Sequence, residues 1–165
     1  MEFHDQGNAL GRLGNWAGTD LSRSVHYQAH VTTTATRYEI PSDLLIPESY
    51  DASLDPYLLA TDTIPIKHPE IEQLWKSIKP KSDKHVLDVL SAIYDYTYSE
   101  ITTVPFKGVT DSLTALRLGE ASCNGKSRLF VSLARLNNLP SRLVGGLILN
   151  TGTKKTSHQW VEVFI

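Results

Sequence analysis

The order of the periodic segments is the feature that most restricts how this chain can fold. Apart from one strand pattern near the N-terminus, four helical patterns fall between residues 69 and 137, and two strand patterns follow between residues 143 and 165. Helices gathered first and strands later, without βαβ alternation, indicate an α+β fold in which helices pack on an antiparallel sheet.

The strongest helical pattern begins at Cys123. It runs to Asn137, and Pro140 prevents it from continuing. Its apolar positions recur with the helical period and predict a wide buried stripe. This stripe consists of Leu129, Phe130, Leu133, Ala134 and Leu136.

Three shorter helices are predicted before it. Pro69 can open the first, and Ser82 or Asp83 can cap the second. Asp111 caps the third, which Gly119 ends. The residues predicted to face the core are Ile71, Leu74 and Trp75 in the first helix, and Val86, Leu87, Leu90, Ile93 and Tyr94 in the second.

The two C-terminal strand patterns differ in kind. Residues 143–149 are almost wholly apolar, which is typical of a central strand. Residues 157–165 alternate, so that strand has two distinct faces. One face carries His158, Trp160, Glu162 and Phe164, while the other carries Gln159, Val161, Val163 and Ile165 and is predicted to face the core.

Three regions are predicted along the chain. Residues 1–22 are rich in glycine and lack periodicity, so we interpret them as a flexible arm or a cloning remnant. Residues 23–66 contain a strand pattern over residues 25–31 and a proline-rich extension, and residues 67–165 form the core. Because the sequence stops within an apolar strand pattern, we expect the core to be an excised fragment, truncated at its C-terminus.

Charge and cysteine content argue against several kinds of site. The formal net charge of -2 gives no electrostatic basis for binding nucleic acid. No apolar run approaches the roughly 18 residues of a membrane helix, and no targeting signal is expected in this segment. One cysteine allows no intrachain disulfide, and we expect neither a metal nor another cofactor. His26 and His30 share a predicted strand face, but without a third ligand an exposed face is the preferred interpretation.

Cys123 is the candidate nucleophile. A lone cysteine is usually a small buried hydrophobe, but this one stands at the predicted start of the buried helix. The unpaired N–H groups and the positive dipole end of a helix N-terminus favour the thiolate, which is the nucleophilic form. Gly125 is expected to leave room beside the sulfur.

His158 is the candidate base. It begins a strand beside Trp160, and a papain-type site pairs a base on a rigid strand with a thiol on a helix tip. Taken alone, an exposed strand histidine is the simpler interpretation, so the prediction depends on the pair.

Together these residues resemble the core of the transglutaminase-like superfamily. The resemblance rests on two runs, LGEASCNGKSRLFVSLARLNNLPSRLVGGLIL and SHQWVEVF. It covers roughly residues 84–165, and HPEIEQLWKSI is similar to the helix that often precedes this core. The matching positions are Cys123, Leu129 with Phe130, Ala134 with Arg135, Leu139 to Arg142, Val144, Gly146, and His158 to Glu162.

The resemblance implies a papain-like fold and a Cys-His site that transfers acyl groups from peptide or glutamine-type amides. Cys123 would be the nucleophile and His158 the base, with the sulfur within about 4 Å of the imidazole. The third triad member, usually Asp, would lie on the next strand, past the end of this chain. Glu162 does not substitute, since four residues along a strand span about 13 Å. We therefore expect this chain alone to show no useful catalysis.

Two further residues are candidates for supporting the site. Trp160 is expected to line the active-site groove or to shield the thiolate, with core packing as the alternative. Arg142 would bind a substrate carboxylate or, more simply, form a structural ion pair.

A narrower resemblance offers a second function. The run VPFKGVTDSLTALRLGEASCNGKSRLF is similar to bacterial transglutaminase-like domains joined to transmembrane helices, some of which are inactive. This implies a catalytically silent module that binds a peptide or cell-wall ligand, in a soluble extracytoplasmic (periplasmic) part of a membrane protein. A purely structural domain is the third hypothesis. In the first two, the partner is a peptide, a protein or a cell-wall ligand, not nucleic acid.

Overall fold

The chain divides into two compact units, Met1–Glu39 and Ile40–Ile165. In the first unit, β1 (Phe3–Asp5) pairs antiparallel with β2 (Ala9–Gly11), within the segment predicted as an arm. Except for His30, which has no strand geometry, the strand predicted over residues 25–31 lies outside the described residues. The computed structural model describes residues 3–5, 9–11, 30, 32, 34–105, 110–148 and 156–165.

The second unit places helices before an antiparallel strand pair, so the predicted α+β fold class is confirmed. None of the helices described is long and apolar enough to cross a bilayer. In chain order, the elements are a 3-10 helix (Ala52–Leu58), α1 (Pro69–Ile78), α2 (Val86–Ser99), β3 (Thr102–Thr103), α3 (Ser112–Leu118), β4 (Glu120–Ala121), α4 (Cys123–Leu136), β5 (Ser141–Ile148) and β6 (Thr156–Val163).

Helix α4 occupies the centre of this unit. Seven of its 14 residues are buried, and it contacts α1, α2, α3, β5 and β6. The predicted apolar stripe is buried or partly buried along its whole length. The buried surface is wider than that stripe, because Val131 and Ser132 are also fully enclosed. Burial on several sides marks α4 as a core helix, on which the other elements pack.

The helix limits follow the predictions at α1 and α3 but not at α2. The Asp111 carboxylate caps α3 by accepting a hydrogen bond from the Thr114 N–H at 2.9 Å, and Gly119 ends that helix with a φ of 63°. The predicted cap of α2 at residue 82 or 83 is wrong. The cap residue is His85, which makes no side-chain capping bond. Ser82 instead hydrogen-bonds to the His85 ring at 3.1 Å.

β5 and β6 form an antiparallel pair that presents the candidate base. Within the part of the chain that is described, β5 pairs with β6 alone, so it is not a central strand there. Val163 packs against the core as predicted, whereas Ile165 lies beyond the strand and is exposed. In the register, Arg142 lies opposite Glu162, Val144 opposite Trp160, and Gly146 opposite His158.

Residues 40–66 pack on the helical core. Leu44 and Ile46 contact the core cluster, and Ile64 is buried. The Leu44 carbonyl accepts a hydrogen bond from the Val86 N–H at 2.9 Å. Because of this packing, the compact unit begins at Ile40, upstream of the division predicted after residue 66.

Arg135 joins the C-terminal half of α4 to two other segments. Its guanidinium donates to the Leu59 carbonyl, just after the 3-10 helix, and to the Ser141 carbonyl at 2.7 Å, at the start of β5. Burial lowers the pKa of Arg135. A partly buried charge needs such acceptors, so α4 holds both segments in place.

A buried polar chain links α3, α4 and the segment before α1. Ser132 Oγ donates to Ser112 Oγ at 2.7 Å, and Ser112 Oγ donates to the Thr63 carbonyl at 3.1 Å. Both serines are fully buried. Bulk water therefore cannot compensate a hydroxyl that loses its partner.

We expect Ser112→Ala to lower the free energy of unfolding by about 1–3 kcal/mol, because the Ser132 hydroxyl then stays buried without its acceptor. Adding Ser132→Ala should recover part of this loss, since the unmet donor is removed. Urea unfolding of the parent, both single variants and the double variant measures the coupling. A double variant as unstable as the sum of the two singles would show that the hydroxyls are independent.

Candidate active site

Cys123 is the first residue of α4, as predicted. Ser122 precedes it in an extended conformation and makes no side-chain capping bond, and its buried hydroxyl has no partner among the described residues. The first turn of α4 therefore presents N–H groups without a side-chain cap, next to the positive end of the helix dipole. The Cys123 side chain is half-buried, and its Sγ lies 3.7 Å from Asn124 Oδ1.

Gly125 makes room for packing and not for the sulfur, so that prediction is wrong. A Cβ at Gly125 would lie 2.7 Å from Ala121 Cβ and 2.9 Å from Thr110 Cγ2. Residues two apart on a helix do not face the same side, so the space at Gly125 is not the space at Cys123. The glycine lets the first turn of α4 approach β4.

His158 lies on an exposed face of the β5–β6 pair. Its ring centroid is 6.5 Å from that of Trp160, and the ring planes are tilted by 31°. Trp160 is 42% exposed, and its six-membered ring covers Gly146, where a Cβ would lie 2.7 Å from both Cη2 and Cζ3. Trp160 therefore packs on the strand face beside the candidate base and not in the core.

The predicted contact between Cys123 and His158 stays a prediction. No hydrogen bond joins these two side chains in the part of the chain that is described, and the sulfur faces Asn124 instead. Catalytic hydrogen bonds of this kind often tighten only when substrate is bound.

Arg142 forms the structural ion pair that was the simpler interpretation. Its Nη2 and Nε lie 2.7 and 2.8 Å from Glu162 Oε2, and its guanidinium lies over the Phe164 ring, 5.6 Å from the centroid. Phe164 stacks on Tyr57 of the 3-10 helix at 5.0 Å. The hydrogen bond to Glu162, with a smaller contribution from Tyr57, raises the pKa of Arg142. These contacts hold the 3-10 helix against the strand pair. They also engage the Glu162 carboxylate in the ion pair with Arg142.

An open groove of about 350 Å³ lies between α2, α4 and β6. Sequence reasoning missed it because it placed Tyr94 on the core face of α2, whereas Tyr94 is 56% exposed and stacks on Tyr98 with centroids 5.6 Å apart. Ser127, in the wall of the groove, lies one helical turn from Cys123. Burial lowers the pKa of the Lys126 amine. The lining residues are Tyr94, Thr97, Tyr98, Lys126, Ser127, Phe130, Val161 and Val163.

The described residues contain no group of three or more His, Cys, Asp or Glu side chains that could hold a metal ion.

Residues 73–165 match the family model of the transglutaminase-like superfamily. The chain belongs to this superfamily. The matched segment covers more than half of the chain and contains both Cys123 and His158. No curated protein sequence matches the chain.

A crystal structure of a candidate cysteine protease from Cytophaga hutchinsonii is similar to this transglutaminase-like protein. The two share 17% sequence identity with a TM-score of 0.58, over 69% of this chain and 39% of the other. At this identity the likeness concerns the fold alone, which is papain-like. The shared part spans well under half of that larger protein.

We expect Gly125→Ala to lower the free energy of unfolding by about 1 kcal/mol. Overpacking against Ala121 and Thr110 costs about 1–3 kcal/mol, and the gain in helix propensity returns about 1 kcal/mol. Urea denaturation measures the difference. The matched control adds Ala121→Gly, which removes the contact at 2.7 Å and should make Gly125→Ala less harmful. A Gly125→Ala protein as stable as the parent would mean that β4 can move away from α4.

Proposed function

We propose that this transglutaminase-like domain supports acyl transfer on peptide or glutamine-type amides, with Cys123 as nucleophile and His158 as general base and acid. The observation that supports this most is the position of the only cysteine, at the start of a buried helix whose cap residue gives no side-chain bond. Such a position favours a thiolate. A cysteine that served packing alone would not need it.

The proposed reaction has two stages. His158 takes the proton of the Cys123 thiol, and the sulfur attacks the carbonyl carbon of the amide. The carbon–nitrogen bond breaks, His158 gives its proton to the leaving amine, and a thioester remains on Cys123. Water then yields a carboxylate, or a second amine yields a new amide, and the thiol is restored. Hydrolysis and cross-linking thus use the same two residues.

The groove between α2, α4 and β6 supports a peptide as the substrate. Its walls are mainly apolar, as in Phe130 and Val161, and Lys126 adds a positive charge. Small-molecule and peptide sites commonly combine an apolar wall with a few polar groups. The groove begins one turn from Cys123, on the face of β6 opposite to that of His158, so a substrate side chain on the Cys123 side of the scissile amide could occupy it.

A catalytically silent module is the second candidate. The exposed position of His158, without a hydrogen bond to Cys123 among the described residues, favours it. In that role the domain would bind a peptide or cell-wall ligand, and it would form the extracytoplasmic soluble part of a membrane protein.

Thiol labelling tests the activation of Cys123 directly, because the chain has no other cysteine. We expect iodoacetamide to label the parent near neutral pH, and His158→Ala to label more slowly, since thiolate is the reactive form. The matched control is His30→Ala, which removes an exposed histidine from the first unit. Equal rates for the parent and His158→Ala would remove the case for a Cys-His pair.

Turnover assays then separate the two candidates. Ammonia release from a glutamine peptide and incorporation of a fluorescent primary amine would be measured for this chain and for any longer protein that the same gene encodes. We expect the longer protein to gain turnover that Cys123→Ala abolishes and that His158→Gln lowers by about 10²–10⁴-fold. If the longer protein stays inert but binds a peptide or glycan, the silent module replaces the acyl-transfer proposal.

A further inference from the structure

We propose that Gly146 and Trp160 form a positioning unit for His158, in which the indole lies across Gly146 and closes the side of the imidazole that faces β5. The inference rests on the proposed role of His158. Neither residue of the unit touches the reacting atoms, so both would act through the orientation of the histidine.

The register of the strand pair brings these residues to one face. Gly146 lies directly opposite His158, and Trp160 is two positions further along β6. Residues directly opposite each other in an antiparallel pair, and residues two apart on one strand, point to the same side. A diagonal cross-strand neighbour lies within reach of an aromatic ring. Trp160 can therefore extend towards β5 and cover the position opposite His158.

The absence of a side chain at Gly146 is what permits this contact. A Cβ there would lie 2.7 Å from two carbons of the indole, Cη2 and Cζ3, which is closer than atoms approach without displacement. At the adjacent Gly145, an added Cβ would have no heavy atom within 4 Å. The two neighbouring glycines therefore differ in their surroundings: a side chain at Gly146 would collide with the indole, whereas one at Gly145 would not.

The indole restricts an imidazole that is otherwise exposed. With centroids 6.5 Å apart and planes tilted by 31°, the two rings are neighbours on the strand face. The His158 imidazole makes no hydrogen bond to any of the residues described. Rotation of the imidazole towards β5 would place it in the volume that Trp160 occupies. The unit thus removes orientations that a base on a strand would otherwise sample, and orientation of a reacting group is worth large factors in rate.

Gly146→Ala tests this inference, with Gly145→Ala as the matched control. Both variants place the same methyl group in the same strand, but only Gly146→Ala forces the end of the indole to move. The readout is the ring carbon–proton NMR signal of His158, assigned by its loss in His158→Ala. We expect Gly146→Ala to shift this signal, because the neighbouring ring current changes, and Gly145→Ala to leave it in place.

The Trp160→Ala background supplies the decisive comparison. Without the indole, Gly146→Ala should no longer move the His158 signal.

In a longer, active gene product, Gly146→Ala should lower kcat by up to about 100-fold with KM little changed, and Gly145→Ala should not. Equal shifts for the two glycine variants, or a Gly146→Ala shift that persists without Trp160, would overturn the inference. The NMR measurement does not depend on turnover. If the His158 signal shifts as expected but the protein shows no activity, the positioning unit is supported and only the acyl-transfer proposal fails.

Discussion

Burial of α4 is the constraint on which the rest of the structure depends. A helix enclosed on several sides cannot be stabilised by one partner, so α1, α2, α3 and the β5–β6 pair all take their positions from it. The same burial fixes where its N-terminus emerges. Cys123 is therefore placed by the packing of residues such as Leu129 and Leu133, about two to three turns away, and not by interactions of its own side chain. Apolar burial of this extent is the dominant favourable term in folding.

The two faces of the β5–β6 pair have different roles: one packs on the core, and the other carries the candidate base. On the inner side Val163 joins the core, whereas the outer side carries Trp160 and the candidate base. Arg142 and Glu162 lie at the far end of that outer face, where their ion pair and the ring of Phe164 meet the 3-10 helix. A cross-strand ion pair that is partly shielded from water aligns the two strands. The register that places Gly146 opposite His158 is thus supported several residues away.

Sequence reasoning predicted those parts of the fold that depend on local signals. The proline start of α1, the Asp111 cap and the glycine stop of α3 are local, and each was found in place. The cap of α2 was missed because two good capping residues, Ser82 and Asp83, precede the true start. The bridge between Leu45 and His85 keeps the chain extended as far as His85, which is the cap residue instead. The groove could not be foreseen for a similar reason. Helical periodicity identifies an apolar face, but the contacts of α4 determined which side of α2 is buried.

For the candidate site, the sequence indicates which residues to consider but not which neighbours support them. Cys123 and His158 follow from the motif, whereas the indole over Gly146 depends on a diagonal contact between strands that no single-strand pattern contains. Gly125 shows the same limit. The sequence indicated that a small residue is needed at this position. The atoms that leave no room for a side chain belong to Ala121 in β4 and to Thr110, which are not its neighbours on the helix.

The bonds of Arg135 set how small an independently folding piece of this protein can be. An excision at residue 73, where the family match begins, would remove the Leu59 carbonyl and leave a partly buried guanidinium with one acceptor fewer. It would also strip Leu44 and Ile46 from the core and shorten α1 by its first turn. A family profile marks the segment that is shared among relatives. The compact unit is larger, because the partly buried Arg135 charge is hydrogen-bonded by backbone that lies upstream of that segment.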